Sequence, residues 1–357
     1  MQCTNRKNLE NTGLLKQQHQ NREIILWLFS GCFLIFAMVV VGGITRLTGS
    51  GLSITEWNVI MGSIPPLNQN DWSLVFEKYK ASPQFQKVNF SMNLEEFKSI
   101  FWWEFIHRLI GRLIGMVFLI PFLYFLWKKR LSKSLIRQLL VIFGLGALQG
   151  FIGWYMVSSG LIDKPAVSHY RLATHLITAF ITYGYIFWVA LSLIYQNDPS
   201  PKVSKQWSRR TAVLLGIVIL QIVYGAFVAG LHAGKVYNTW PKMGEDWFPS
   251  TILAMQPAWV NFFENYIGVQ FIHRYIALAL LLMGLLLAYF YRTEKAFALK
   301  QALNFFLIAL VIQFVLGVVT LLYAAPIALS AIHQIGGFFL FTSVIFFYFR
   351  AKTLRQP

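Results

Sequence analysis

Long apolar segments separated by short charged stretches dominate this chain. Eight segments of about 20 residues carry few charged side chains. They lie at 24–45, 104–127, 137–157, 170–195, 211–231, 267–291, 300–323 and 329–349. A helix of about 20 apolar residues crosses the hydrocarbon core of a membrane, and an isolated strand cannot, because its backbone groups would find no partners in lipid. The pattern therefore predicts an all-α polytopic membrane protein with eight transmembrane helices.

The distribution of charge predicts how these helices are oriented. The net charge is +17, yet the N-terminal tail, the C-terminal tail and the connections 128–137, 196–210 and 292–300 hold 19 of the 31 Lys and Arg and 4 of the 14 Asp and Glu. Basic connections face the cytoplasm, so both termini are predicted to be cytoplasmic. The charge thus indicates topology and contact with membrane lipids, and it does not indicate nucleic-acid binding. We expect a bacterial cytoplasmic (inner) membrane, with a mitochondrial inner membrane as the alternative.

The second half of the chain repeats the first. VVGGITRLTGSGLSITEW at 40–57 aligns with VYGAFVAGLHAGKVYNTW at 223–240, and EFIHR at 104–108 aligns with QFIHR at 270–274. Four spans in each half give both halves the same orientation, as in membrane folds built from parallel repeats. The sequence therefore predicts two four-helix bundles related by tandem duplication.

This duplication divides the chain into five parts. They are the cytoplasmic tail 1–23, the N-terminal four-helix bundle 24–195, the cytoplasmic linker 196–210, the C-terminal four-helix bundle 211–349 and the cytoplasmic tail 350–357. The N-terminal bundle includes a long outer loop, 46–103, whose aromatic residues predict either a packed lid at the membrane surface or an interfacial aromatic belt. These aromatic residues are Trp57, Trp72, Phe76 and Tyr79.

Four histidines occupy matching places in alternate spans, near the outer membrane face. They are His107, His175, His273 and His333. An ionisable group inside a membrane helix is costly and is usually functional. The duplication sorts the four into two pairs, and histidines on facing helices of a bundle can bind opposite sides of one haem iron. Zinc fits less well, because it requires three or four close ligands. The sequence thus predicts two bis-histidine centres, with haem as the metal group.

Three arginines accompany these histidines. Arg108 and Arg274 directly follow the first histidine of each pair, and Arg171 lies one helical turn before His175. Guanidinium groups pair well with carboxylates, so the three arginines are candidate contacts for haem propionates. The alternative is that these long cationic side chains extend to the membrane interface.

One position distinguishes the two halves chemically. Glu104 precedes His107 by three residues and shares its helix face, whereas the second half has Gln270 at the equivalent position. A carboxylate beside one centre suggests that this centre is reactive and that the other carries electrons. Glu104 would act as a proton acceptor or as an electrostatic stabiliser of a cationic intermediate. The alternative is an interfacial Glu that pairs with a neighbouring Arg.

Six stretches of the chain form a distinctive set of motifs: GGITRLTGSGLS at 42–53, EFKSIFWWEFIHRLIGR at 96–112, LQGFIGWYMVSSGL at 148–161, VSHYRLATHL at 167–176, GAFVAGLHAG with NTWPKM at 225–243, and TLLYAAPIALSAIHQ at 320–334. Together they resemble the haem A synthase family, in the longer form of mitochondria and many Gram-negative bacteria. The resemblance runs from about residue 25 to residue 349 and includes all four histidines.

The resemblance implies a function and a set of roles. Such enzymes oxidise the C8 methyl group of haem O to a formyl group through a hydroxymethyl intermediate, and so supply haem A for cytochrome oxidase. By analogy, His273 and His333 are the axial ligands of a resident haem b. His107 and His175 flank the substrate haem O or the product haem A, and Glu104 is the catalytic carboxylate. The implied partners are the farnesyltransferase that makes haem O and an electron acceptor of unknown identity. The sequence leaves the oligomeric state open, with a homo-oligomer as one alternative.

Other classes of protein account for part of the pattern. A transmembrane electron-transfer protein with two haems b would use the same histidine pairs, but it would not need the difference between Glu104 and Gln270. A transporter would explain the eight spans and the repeat, but it would show broken helices or charges near the middle of the membrane. A purely structural assembly factor would leave the histidines unexplained.

Overall fold

The computed structural model describes residues 2–56, 64–160, 167–196, 198–292, 294 and 296–354, with the backbone alone for residues 2–20, 159 and 160. Within these residues the regular structure is helical, which confirms the predicted all-α class. The α-helices are α1 (Gln2–Leu47), α2 (Gln69–Lys80), α3 (Pro83–Lys87), α4 (Leu94–Trp127), α5 (Lys133–Gly160), α6 (His169–Ile194), α7 (Lys205–Gly230), α8 (Tyr266–Tyr291), α9 (Phe297–Leu322) and α10 (Ile327–Thr353). Short 3-10 helices lie between α7 and α8, at Ala233–Lys235, Ser250–Leu253 and Ala258–Phe262.

Eight of these helices are long and apolar enough to cross a membrane, as predicted: α1 from Asn21 onward, and α4 to α10. Among these membrane-spanning parts the largest difference in boundaries is at α4, which begins at Leu94, ten residues before the predicted span. The Asn93 side chain accepts a hydrogen bond from the Glu96 amide at 3.0 Å, and the Glu96 carboxylate accepts one from the Asn93 amide at 2.9 Å. This reciprocal cap starts the helix early. Glu104 therefore lies well inside α4.

Each half of the protein is a ring of four helices. In the first half, α1 and α5 each pack against both α4 and α6; in the second half, α7 and α9 each pack against both α8 and α10. The order of neighbours is thus the same in the two rings, as a duplication predicts, although common origin remains a prediction. The rings meet where α1 and α6 contact α10 and where α6 contacts α7.

The outer segment between α1 and α4 packs against the protein. Helices α2 and α3 contribute to an aromatic cluster on the first turns of α4, in which Tyr79 is fully buried. The cluster consists of Trp72, Tyr79, Phe97, Ile100, Phe101 and Phe105, with Phe76 and Phe85 packed against it. For these residues the arrangement is that of a packed lid. Trp57 lies outside the described residues.

Candidate active site

Each ring of helices brings its two predicted histidines together. His273 on α8 and His333 on α10 have ring centroids 6.5 Å apart, with planes at 86°. This separation accommodates one metal ion between two metal–nitrogen bonds of about 2 Å each. In the first half, His107 on α4 and His175 on α6 stand on opposite helices of the ring, and each faces a glycine of a helix that lies between them, α1 or α5. Both pairs therefore occupy corresponding helices of the two rings.

Each imidazole faces a glycine on the neighbouring helix. A Cβ atom built on any of these glycines would come within 3.0–3.3 Å of the ring, which is tighter than most such contacts in proteins. The pairs are Gly42 with His107, Gly153 with His175, Gly225 with His273, and Gly317 with His333. The absence of a side chain at each glycine leaves room for the imidazole. The four histidine positions are thus built in the same way.

Three of the four histidines are also held by a glutamine, which the sequence analysis missed. The glutamine amide donates to the backbone carbonyl of its histidine at 2.9–3.1 Å and lies 3.1–3.4 Å from the nearest ring nitrogen. The pairs are Gln149 with His175, Gln221 with His273, and Gln313 with His333. Hydrogen bonds between membrane helices contribute about 0.6 kcal/mol on average and up to about 1.7 kcal/mol. Each glutamine therefore stabilises the helix position that carries its histidine.

Glu104 is buried on α4, and its carboxylate contacts the segment that follows α1. One carboxylate oxygen accepts hydrogen bonds from Ser53 Oγ at 2.7 Å and from the Ile54 amide at 2.9 Å. The other accepts one from Arg108 Nη2 at 2.6 Å. The counterpart in the second half, Gln270, donates to the backbone carbonyl of Tyr237 at 3.1 Å. The same position therefore fixes the adjoining loop in both halves, with a charged group in one and a neutral group in the other.

Comparison with known proteins identifies the family to which this chain belongs. Residues 25–345 match the COX15-CtaA family, whose description is cytochrome oxidase assembly protein. This chain belongs to the COX15-CtaA family. The haem A synthases of Flavobacterium psychrophilum and Nitrosospira multiformis are each 48% identical to it over 333 residues, covering 91% of this chain and 97% and 92% of the relatives. The haem A synthase of Parvibaculum lavamentivorans is 43% identical over 326 residues, covering 91% of this chain and 93% of the relative.

Family membership confirms the resemblance found in the motifs. In this COX15-CtaA chain the three candidate arginines contact protein groups. Arg108 and Arg274 donate to backbone carbonyls of the loop that follows the first helix of their own half. The acceptors are Ile54 at 2.8 Å and Glu56 at 2.9 Å for Arg108, and Tyr237 at 2.5 Å and Thr239 at 2.9 Å for Arg274. The Arg171 guanidinium lies 4.5 Å from the centre of the Tyr155 ring. Contacts with haem propionates remain a prediction for all three.

The residues of the two centres fit a haem iron, the group that the COX15-CtaA family implies. The amide oxygens of Gln149, Gln221 and Gln313 are buried and have no hydrogen-bond partner among the described residues, and the same holds for Nδ1 of His273. A metal-bound imidazole donates its second N–H to a nearby acceptor. The three glutamine side chains lie next to the rings and have unused amide oxygens, and the glycines leave the rings space. The surroundings of His175, His273 and His333 thus fit metal-bound imidazoles.

Proposed function

We propose that this multi-pass membrane protein is a haem A synthase. It is an oxidoreductase that converts the C8 methyl group of haem O to a formyl group through a hydroxymethyl intermediate, and it supplies haem A for cytochrome oxidase. The relatives named haem A synthase, each aligned over more than 90% of this chain, support this function. The observation that carries it is the pair of similar histidine centres, of which, among the described residues, one has a buried carboxylate, Glu104, beside it.

The two centres have different occupants in this proposal. His273 and His333 hold a resident haem b as axial ligands, and His107 and His175 flank the substrate haem O or the product haem A. The assignment is supported by the neutral Gln270 in the second half and the charged Glu104 in the first, because a centre that only transfers electrons needs no charged group. When bound, haem b supplies a redox group for electrons from the substrate.

Glu104 is the catalytic carboxylate in this proposal. Conversion of the methyl group to a formyl group is a four-electron oxidation that adds one oxygen atom, from water or from dioxygen, and it leaves the reacting carbon electron-poor. A carboxylate held by three donors, one of them the charged Arg108, does not reorient when positive charge develops. Such a preorganised charge stabilises a transition state more than a mobile one. Ser53 and the Ile54 amide keep the carboxylate in place and exclude water from its outer side.

The proposal includes a membrane orientation and partners. Both termini are cytoplasmic, in a bacterial cytoplasmic (inner) membrane, so that both histidine pairs lie near the outer face. The five-part division of the chain into two bundles, a linker and two tails follows from the same reasoning. The farnesyltransferase that makes haem O would deliver the substrate, and an electron acceptor would reoxidise haem b. A second copy of the chain is a further partner.

Haem extraction from the purified protein tests this function. The chain is produced together with a haem O-forming farnesyltransferase, and its haems are identified by chromatography and mass spectrometry. We expect haem b together with haem O, haem A or the hydroxymethyl intermediate, and loss of haem A in Glu104→Ala. Haem b alone, at two equivalents per chain, would contradict the proposal and indicate a two-haem b electron-transfer protein.

A further inference from the structure

One of the four histidine positions lacks the glutamine that the others share. Met38 on α1 occupies the corresponding place beside His107. Its Cε atom lies 3.2 Å from the Cβ position of Gly111, which follows His107 by one helical turn. In the second half, Gln221 on α7 precedes Gly225, the glycine that faces His273, by four residues, as Met38 precedes Gly42. Met38 and Gln221 thus sit at equivalent points of the two rings.

The replacement of an amide by a thioether removes two interactions from His107. A thioether has no hydrogen to donate and is a weak acceptor, so Met38 can neither bind the backbone carbonyl of His107 nor accept the second N–H of its ring. Within the described part of the chain the His107 imidazole makes no hydrogen bond. On the opposite side, Gln149 binds the backbone carbonyl of His175 at 2.9 Å and lies 3.1 Å from Nδ1. The first-half pair is therefore asymmetric.

The orientation of the rings shows the same asymmetry. The His107 ring turns its Nε2–Cδ2 edge toward Gly42, with Nε2 3.0 Å and Cδ2 3.3 Å from the Cβ position. His175 and His333 instead present Cε1 to their glycines at 3.0 Å, with both ring nitrogens at 3.6–3.7 Å. His273 also presents Cε1 to its glycine, at 3.3 Å. The three histidines that have a glutamine thus turn the same ring atom toward their glycines, and His107 turns another edge.

We propose that His107 is the exchangeable axial ligand of the first-half haem and that His175, positioned by Gln149, is the permanent one. The second-half iron keeps both of its histidine ligands and binds no external ligand, because Gln221 and Gln313 hold the two histidines in place. An iron with two histidine ligands has no open position, so an external ligand can bind only where one histidine leaves. An external ligand therefore binds the first-half iron on the side from which His107 leaves. The proposal rests on the proposed function only in taking the first-half haem as the substrate.

Binding of carbon monoxide to the intact, haem-loaded protein tests this proposal. The full-length protein in detergent is reduced with dithionite and titrated with carbon monoxide, and absorbance spectra report how many haems bind it. We expect one carbon monoxide-binding haem per chain. Met38→Gln supplies the missing amide and should weaken carbon monoxide binding by about tenfold or more, the size of effect typical of groups that position a metal ligand. Met38→Leu is the matched control, because leucine also lacks a donor, and its binding should match that of the native protein.

The reciprocal change applies the same test to the second half. Gln221→Met removes the amide from His273 and should free a coordination position on the second-half iron, which raises the number of carbon monoxide-binding haems to two. The proposal is overturned if native protein binds carbon monoxide at neither or both haems, or if Met38→Gln behaves like Met38→Leu. If Met38→Gln loses its haem, Gln221→Met decides alone: failure to gain a second binding haem overturns the proposal.

Haem identification in the same samples separates this proposal from the function on which it rests. Haem b at both sites would contradict haem A synthesis, whereas the number of carbon monoxide-binding haems would still report which histidine leaves. Conversely, haem O or haem A in a protein that binds no carbon monoxide would preserve the function and refute the exchangeable ligand.

Discussion

The two halves of the protein hold their histidines in nearly the same way, and they differ around only one of the four. His107 has a carboxylate, Glu104, at the position where the second half has Gln270, and it has Met38 at the position where the second half has Gln221. The ring of helices and the facing glycines are common to both halves. In the proposed function, the shared scaffold would hold the two irons, and the few side chains that differ around His107 would provide the reactive chemistry.

The shared loop contacts show what has been kept and what has changed. In each half an arginine one residue after the first histidine binds two carbonyls of the adjoining loop. The residue three positions before that histidine binds the same loop, through Glu104 in one half and Gln270 in the other. Glu104 and Gln270 both hold the adjoining loop, but of these two residues Glu104 alone carries a negative charge. The predictions below test whether this difference separates the two halves in function.

The largest expected effect is selective loss of one haem. His333→Ala should lose the second-half haem b, and His175→Ala should lose the first-half haem while haem b stays. The reason is that each iron depends on a histidine held by a glutamine. Haem content and type after extraction provide the measurement, with His232→Ala, on the outer loop, as a control that keeps both haems. If each substitution removed both haems from folded protein, the two centres would not be independent.

The next effect concerns turnover without loss of haem. Glu104→Gln makes the first half resemble the second, and it should lower haem A formation by about 100-fold because the fixed negative charge is lost. The ratio of haem O to haem A in extracts measures this. The double variant Glu104→Gln/Gln270→Glu moves the carboxylate to the other half, and it should not restore haem A. Recovery in the double variant would show that either centre can host the reaction.

Much of this fold could be predicted from the sequence, because the length of an apolar span and the distribution of charge can be read from the residues without knowledge of tertiary contacts. The eight spans and the histidine pairing follow from apolar length and from the repeat. The early start of α4 was not predicted. It depends on the cap between Asn93 and Glu96, which lies within the segment 46–103 that was predicted to be a loop. The packing of α2 and α3 on α4 depended on contacts between distant aromatic residues.

The glutamines had a sequence signal that was not used. QGFIG at 149–153, QIVYG at 221–225 and QFVLG at 313–317 each place Gln one helical turn before the glycine that faces a histidine, and MVVVG at 38–42 is the exception. The meaning of this spacing depends on which helices are neighbours, and a sequence repeat alone does not reveal that. The contact of Glu104 with Ser53 likewise joins residues about 50 positions apart.

Replacement of the loop-binding arginines should destabilise the halves unequally. Arg108→Ala leaves the Glu104 carboxylate, only 3% exposed, without its charged partner, and removal of one partner of a buried pair costs about 3–5 kcal/mol. Arg274→Ala leaves the neutral Gln270 in place and should cost about 1–3 kcal/mol. Thermal unfolding in detergent compares the two. The double variant Arg108→Ala/Glu104→Gln should recover part of the loss; equal losses in the two single variants would contradict a charge-based difference.

The smallest expected effect tests how firmly each first-half histidine is held. Gly42→Ala and Gly153→Ala would each place a methyl group 3.0 Å from the facing imidazole. His175 is fixed by a glutamine amide and cannot move aside, so Gly153→Ala should cost about 1–3 kcal/mol in overpacking. His107 has no such anchor and can turn away, so Gly42→Ala should cost less. Gly31→Ala, where nothing lies within 4 Å, corrects for the higher helix propensity of alanine, about 1 kcal/mol. Thermal unfolding of the three variants gives the comparison. Equal losses at the two facing glycines would mean that both rings are equally rigid, and the asymmetry between His107 and His175 would then lie in the iron bond alone.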